Sequence, residues 1–494
     1  MWRFPSALLL GIALAYGLRI WLHKLPVKSF EVVQHKKLVI ALTLPVLAVL
    51  CVFVRYGGAF NYAHSINWES AARLKSNLLN EAILDDGQAL YRVRDMKRKI
   101  DKVTNINITV AQLREKIAAS GGNKNADSID KAFLHTVKQP KLAKQPRNIV
   151  LIVGESFGDW PFLPKYKDLG LVDNMLALKN ASDAAHITTM LPNGSGTISA
   201  VNSLVSGIPD MGLYENYQAN SFNGKYATGI GYIMKQLGYK TVFWYGGFSG
   251  WQNIGKFTKA QSFDEFHCAD EFSDNSGNAW GCSDAALFKQ IEAYMSKEKE
   301  QEKVFHVVLT TSNHPPYTID VDGMGFPRAQ VNADIASDEK TLTELGHIWY
   351  ADKTMGDFVK QAQSMYSDTL FVITGDHSER FSFAKEQDTR TLSSIPCIFY
   401  GAGVQQAWFN DNAVGDHMQL AGTLAEIVGP AGFTYAALQS NIFDNQDVVF
   451  NHRLYAADGK IYTQSSDTDK KIIDYINSMR GVGAWRVLKG DAVK

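Results

Sequence analysis

Cysteine is scarce in this chain: four residues, at positions 51, 268, 282 and 397, in a length of 494. So few in so long a chain exclude a fold built on a disulfide framework. Cys268 and Cys282 lie close enough in sequence to pair in an oxidising compartment; the alternative is two small buried thiols. Charge imbalance is missing too, since fifty Lys and Arg residues face fifty Asp and Glu. A nucleic-acid binder normally shows a basic excess or patch, so no nucleic-acid partner is expected. Internal repeats and low-complexity tracts are absent. What is present is apolar: 46% of residues are hydrophobic and 11% aromatic, enough for a large core in a chain longer than one ordinary domain.

Two apolar runs open the sequence. "FPSALLLGIALAYGLRIWL" (Phe4 to Leu22) and "LVIALTLPVLAVLCVFV" (Leu38 to Val54) each approach the length of a bilayer crossing. The first resembles a signal peptide with a small-residue site at "ALA". A second span so soon after it favours a two-helix hairpin. Lys24, Lys28, Lys36 and Lys37 crowd the loop between the runs, which places that loop in the cytoplasm and everything after Arg55 outside.

Residues 56–147 read as a polar, helical connector, with Thr109 as N-cap of one helix and "KQPKLAKQPRN" as a linker. After Asn148 the pattern changes. "IVLIVGES", "KTVFWYGG", "VFHVVLTTSNH" and "TLFVITGDH" are continuous apolar strands, separated by helical stretches such as "SDAALFKQIEAYMSK". Such alternation predicts an α/β domain over 148–494 with a mostly parallel sheet sandwiched by helices.

Ligands of α/β sheets bind beyond the carboxyl ends of the strands. Three of these strands end in chemistry there: Glu155 on the first, His314 on the third, Asp376 and His377 on the fourth. A glycine-rich turn, "LPNGSGTISAVNSLVSGIP", runs into a helix with Thr197 in its first turn. Helix N-termini attract anions, and a hydroxyl there can act as a nucleophile beside a metal. The plain alternative for Thr197 is an N-cap. Asp416 and His417 repeat the Asp-His adjacency, but in a loop entering a helix, and are read as structural. His186 and His267 are likewise read as structural or surface residues, and Asp352 and Asp357, on a helix, as capping or solvent-facing ones.

The motifs "VGESFGD", "GTISAVNSLVSGIP", "NAWGCSD", "TTSNHPPY", "YADKTMGDF" and "ITGDHSER", in this order, resemble the lipoteichoic acid synthase and phosphoglycerol transferase family. That family is sulfatase-like and belongs to the alkaline phosphatase superfamily. The similarity covers roughly 148–429, and "RYGGAFNYAHSINWES" resembles the segment such proteins carry just outside their last membrane span. The resemblance implies one divalent cation held by Glu155, Thr197, Asp376 and His377: Mn²⁺ first, with Mg²⁺ or Zn²⁺ also compatible with three oxygens and an imidazole. It implies that His314 contacts the phosphate or leaving group and that Trp251 binds substrate. The family's phosphate-binding arginine is replaced by Asn253, which donates a hydrogen bond without charge, more like the branch that decorates periplasmic glucans. Family members commonly have five spans and this sequence shows two, which implies a shortened or incomplete member.

The expected function follows from that resemblance. It is a multi-pass inner-membrane enzyme with an extracytoplasmic, periplasmic catalytic domain. It moves a phosphoglycerol-type headgroup from a phosphatidylglycerol-like phospholipid donor, through a phosphothreonine, to a glycan, glycerol-polymer or lipid-linked acceptor. Phosphoethanolamine transfer is the neighbouring alternative, although such enzymes usually carry more histidines and disulfides. A sulfatase would need the CxPxR signature, which "GSGTISA" lacks. An inactive binding module would be expected to have lost a ligand.

Overall fold

The computed structural model describes residues 36–55 and 108–494, less 274–276, 279, 300, 333–337, 379–387 and 445–447, together with scattered positions among the first 107. The chain divides into two compact units, Met1–Asn67 and Trp68–Lys494. In the first unit the second expected span falls on helix α1 (Lys36–Arg55), with Pro45 inside it. Leu42, Leu44, Val46, Leu47, Val49 and Leu50 of that helix are all exposed. Among the described residues no helix is long and apolar enough to cross a membrane. The first expected span and most of the basic loop and of residues 56–107 lie outside the described residues.

The second unit is built on one seven-stranded sheet. Its strands are β1 (Asn148–Gly154), β2 (Ala184–His186), β3 (Lys240–Tyr245), β4 (Glu265–Cys268), β5 (Val304–Leu309), β6 (Leu370–Gly375) and β7 (Cys397–Tyr400), in the spatial order β2-β7-β6-β1-β5-β3-β4. The run β6-β1-β5-β3-β4 is parallel throughout. The expected parallel sheet is therefore present, but its other edge is antiparallel: β7 runs against both β6 and β2. A short apolar strand such as "CIFY" carries no mark of its direction.

Strand side chains alternate between faces, and here both faces are buried. Ile149, Leu151 and Val153 of β1 join one apolar core, while Val150 and Ile152 join the other. Residues expected to form only a connector contribute to the first of these. Leu113 and Ile117 of helix α2 (Val110–Ala119) are fully buried in it beside Met479 and Val482 of the last helix. His135 and its neighbours pair antiparallel with Thr434–Ala436. Thr109 is the N-cap expected of it, with a reciprocal capping box to Gln112.

One buried ion pair ties these two ends of the unit together. Arg486 donates from Nε and Nη2 to the two carboxylate oxygens of Asp130, at 3.1 Å each, and from Nη2 to Lys225 O at 3.0 Å. Removing one partner of such a pair strands the other charge in low dielectric. Arg486→Met is therefore expected to lower unfolding free energy by roughly 3 kcal/mol. Adding Asp130→Leu to it should recover much of that loss. Urea unfolding of the single and double variants reads both values, and equal losses in the two would show that the stranded charge is not the cause.

Candidate metal and nucleophile site

The carboxyl ends of the parallel strands converge as their sequence positions suggested. At the end of β1 the chain turns through Ser156, whose φ of +50° is uncommon for a residue with a side chain. Asp376 holds that turn in place. Its Oδ1 accepts from Ser156 N and from its own neighbour His377 N, at 2.7 Å each. The approach requires glycine at the end of β6: a Cβ on Gly375 would sit 2.1 Å from Phe157 O. Glu155 is fixed from three sides. Its N–H donates to Thr310 Oγ1 at 2.9 Å, its Oε1 accepts from Ser156 Oγ at 2.9 Å, and its carbonyl accepts from the Asn313 amide at 3.2 Å.

Thr197 reaches this carboxylate from helix α3 (Thr197–Ser206). Gly196 is the N-cap, so Thr197 is the first helical residue rather than the cap. A capping hydroxyl accepts from a backbone N–H; that of Thr197 instead donates to Glu155 Oε2 at 3.2 Å. The plain N-cap reading of Thr197 is thereby corrected. The preceding turn needs Gly194, where a Cβ would come within 2.6 Å of Ser199 Cβ.

Glu155, Asp376 and His377 each offer a ligand atom, and these atoms all lie within 4.8 Å of one another. All three side chains are at least 95% buried. Two carboxylates and an imidazole, with a hydroxyl hydrogen-bonded to one of them, make a donor set that fits a hard or borderline divalent cation. Tyr245, buried against this site, has its phenol pushed well above the usual range, by burial first and then by the charge of Glu155.

His314 and Trp251 line the same cleft as Thr197 and Glu155, a cavity of about 550 Å³. His314 donates from Nδ1 to Pro315 O at 2.6 Å, which fixes that nitrogen as the protonated one, and its ring lies 4.1 Å from that of Trp280. The loop carrying His314 is braced by Asp284, whose Oδ1 accepts from Thr311 N and Ser312 N at 3.0 Å each. Burial raises the Asp284 carboxyl despite those two donors. The aspartate is the last residue of the "NAWGCSD" motif, so the signal was present without its meaning. Asn253 is not brought to the cleft. Its amide donates to Asn216 O at 3.0 Å, and its neighbour Gln252 takes the lining position.

Asp352 and His417 both make buried contacts that support neighbouring elements, Asp352 in the capping role expected of it. Asp352 is buried and accepts from Asn174 N and Met175 N at 3.0 and 2.8 Å, capping a helix other than its own, and burial pushes its carboxyl up to about 6. His417 bridges the two halves of the site. Its Nε2 donates to Gly375 O at 2.9 Å, one residue before Asp376, and its Nδ1 accepts from Asn193 N at 3.3 Å, in the turn leading to Thr197. Burial, then the nearby His377, lowers its pKa to about 4, so the neutral ring can serve as donor and acceptor at once.

These two hydrogen bonds can be separated. His417→Gln places an amide donor near the Nε2 position, and His417→Asn places an acceptor near Nδ1. The first is expected to keep Mn²⁺ affinity within about threefold of the parent. The second is expected to weaken it by 10-fold or more, the scale seen when groups supporting metal ligands are removed. Titration followed by the Mn²⁺ paramagnetic resonance signal measures both. Equal affinities in the two variants would remove His417 from the support of the metal-binding strand.

With this geometry in hand, likeness to known proteins becomes informative. The sulfatase family model matches residues 147–430, more than half of the chain. Phosphoglycerol transferase I of Salmonella paratyphi B is 26% identical over 278 residues, covering 53% of this chain and 34% of that protein, and the Salmonella typhi protein matches equally. The chain thus spans about a third of the length of the curated relatives it matches. Among solved structures, an alkaline phosphatase superfamily protein from Vibrio parahaemolyticus superposes with a TM-score of 0.57 at 19% identity, over 77% of this chain and 95% of that one. A lipoteichoic acid synthase from Listeria monocytogenes gives 0.56 at 15% identity, over 76% and 97%. The fold is shared with both, and the chain belongs to the sulfatase family, with phosphoglycerol transferases among its relatives.

Proposed function

We propose that the protein is a membrane-tethered phosphoglycerol transferase working through a phosphothreonine at Thr197. The observation that carries this reading is the Thr197 hydroxyl donating to Glu155 Oε2 at the edge of the metal-capable group Glu155, Asp376 and His377. The relatives named phosphoglycerol transferase I support the headgroup.

In the first half-reaction Thr197 Oγ1 attacks the phosphorus of a phosphatidylglycerol-like donor. The bond from Oγ1 to phosphorus forms, the bond from phosphorus to the diacylglycerol oxygen breaks, and the hydroxyl proton passes to Glu155 Oε2. His314 faces the same cleft and contacts the phosphate or the departing oxygen. In the second half-reaction an acceptor hydroxyl of a glycan, glycerol polymer or lipid-linked sugar displaces Thr197 by the reverse sequence of bonds. A divalent cation on Glu155, Asp376, His377 and Thr197, Mn²⁺ in the first instance, would lower the hydroxyl pKa and neutralise phosphate charge. Trp251 lines the cleft as a substrate contact. Asn253 acts through Asn216 rather than by touching the headgroup. Phosphoethanolamine transfer uses the same half-reactions and differs only in the group carried.

Thr197→Ala should reduce diacylglycerol release from phosphatidylglycerol by at least about 10³-fold, as loss of a nucleophile does. Thr197→Ser keeps the hydroxyl and should retain measurable turnover. Both variants should fold normally, since losing even a cap costs only about 1 kcal/mol. Mass spectrometry of the wild-type protein after brief exposure to lipid should place a phosphoglycerol group on Thr197. Parent-like release by Thr197→Ala would end the covalent mechanism.

The tether reading places residues 1–55 as two crossings around a cytoplasmic basic loop, 56–147 as an extracytoplasmic connector and 148–494 outside as the catalytic domain. In a Cys51→Ser background, a membrane-impermeant maleimide applied to intact spheroplasts should modify Phe60→Cys and spare Lys28→Cys. Labelling of the loop position would reverse the topology.

A further inference from the structure

The cleft extends past the nucleophile along helix α3, and the residues there differ in kind from those at the metal end. Asn202 lies five residues after Thr197, about 7.5 Å further along the helix axis, and is 2% exposed. Its Nδ2 donates to Asn216 Oδ1 at 3.0 Å, while its own Oδ1 carries no hydrogen bond. Asp210, Tyr214, Trp251 and Gln252 complete this part of the wall. Asp210 Oδ1 accepts from Gly212 N at 2.8 Å. Arg480, a cation close enough to influence that carboxyl, is directed to Asn451 O at 2.7 Å and Gln464 Oε1 at 3.4 Å.

The chemistry of this wall selects its ligand. Neither lysine nor arginine is among the described residues lining the cleft, whereas two carboxylates are. A second anion there would face the Glu155 and Asp210 carboxylates with no lysine or arginine in the lining. A hydrocarbon chain would leave the buried Asn202 Oδ1 without a partner and would cover the Asp210 carboxylate, which accepts from Gly212 N, an unfavourable exchange for both groups. Hydroxyl groups donate to both, and the rings of Trp251 and Tyr214 offer apolar faces to the C–H side of the same molecule. The volume, about 550 Å³, lies within the roughly 300–1,000 Å³ usual for small-molecule sites, which leaves room for a ligand beyond the phosphoryl group.

We infer that Asn202 and Asp210, walled by Trp251 and Tyr214, form a subsite for a neutral polyol, the hydroxyl-bearing acceptor of the second half-reaction. The subsite rests on the transferase reading for its role, but its ligand chemistry can be tested without turnover. A sugar or a glycerol unit would satisfy the same groups, so both are used as probes.

The experiment has two readouts on the full chain loaded with Mn²⁺. The first is saturation-transfer NMR with a glucose tetrasaccharide or glycerol and no lipid present. The second is the ratio of headgroup transferred to each probe over headgroup released to water, with phosphatidylglycerol as donor. The expected result is binding of at least one probe to the parent, and a fall in the transfer ratio of about tenfold or more in Asn202→Leu/Asp210→Asn. Isosteric Asp210→Asn alone, which preserves the packing, should move the ratio in the same direction. A response to the tetrasaccharide but not glycerol assigns a sugar, and the converse assigns glycerol. Parent-like ratios in both variants overturn the subsite while leaving the transferase reading intact. Probe binding that the variants lose, in a protein that releases no diacylglycerol, upholds the subsite and overturns the transferase reading. Failure of both probes to bind the parent overturns the subsite.

Discussion

Asp376 Oδ1 accepting two backbone N–H groups, from Ser156 and His377, is the constraint on which the site depends. It joins the ends of adjacent parallel strands and holds Ser156 in a left-handed turn. It also leaves the other carboxylate oxygen, Oδ2, 3.6 Å from His377 Nε2. The turn it enforces delivers Glu155 toward Thr197. A carboxylate that accepts from two amides is held in one rotamer, so its ligand oxygen is positioned before any cation arrives. That order is the physical content of preorganisation: the fold has already met the entropy cost of gathering the donors.

The rest of the site is built outward from the same strand ends. Thr310 and Asn313 fix Glu155 from β5, and Asp284 fixes the loop that carries His314. His417 fixes the β6 end from a loop across the sheet. Each is a buried polar group tied to at least one backbone partner, and that bond holds its side chain in place.

Strand runs and their terminal side chains made Glu155, Asp376, His377 and His314 legible in the sequence, because continuous apolar strands have a direction and ligands gather at their carboxyl ends. The glycine-rich turn running into a helix added Thr197. What sequence could not show was which neighbours do the supporting. Asp284, Asn216 and His417 act on backbone atoms 27 to 42 residues away, Asn216 on Gln252 O, and no local periodicity records such pairings. The same limit applied to Asn253, whose substitution for an arginine drew attention to the position while the chain turned its side chain toward Asn216. Strand direction at the β7 edge, and the packing of residues 110–147 into the core, were hidden for the same reason: both are settled by long-range contacts.

Those contacts have a consequence for how the unit comes into being. Ile129 donates its N–H to Asp491 O, and Val493 donates its N–H to Asp127 O, at 2.9 Å each, while Leu113 and Ile117 share a core with Met479 and Val482. Turns near residues 127–129 are therefore completed by residues far along the sequence, at 491–493. Closing a loop of that length is an entropic cost that local structure cannot offset along the way. Until residues 470–493 join it, α2 lacks the partners that cover Leu113 and Ile117. The joining of α2 to the helix Lys470–Lys489, more than the pairing of the central strands, sets the moment at which the unit can close.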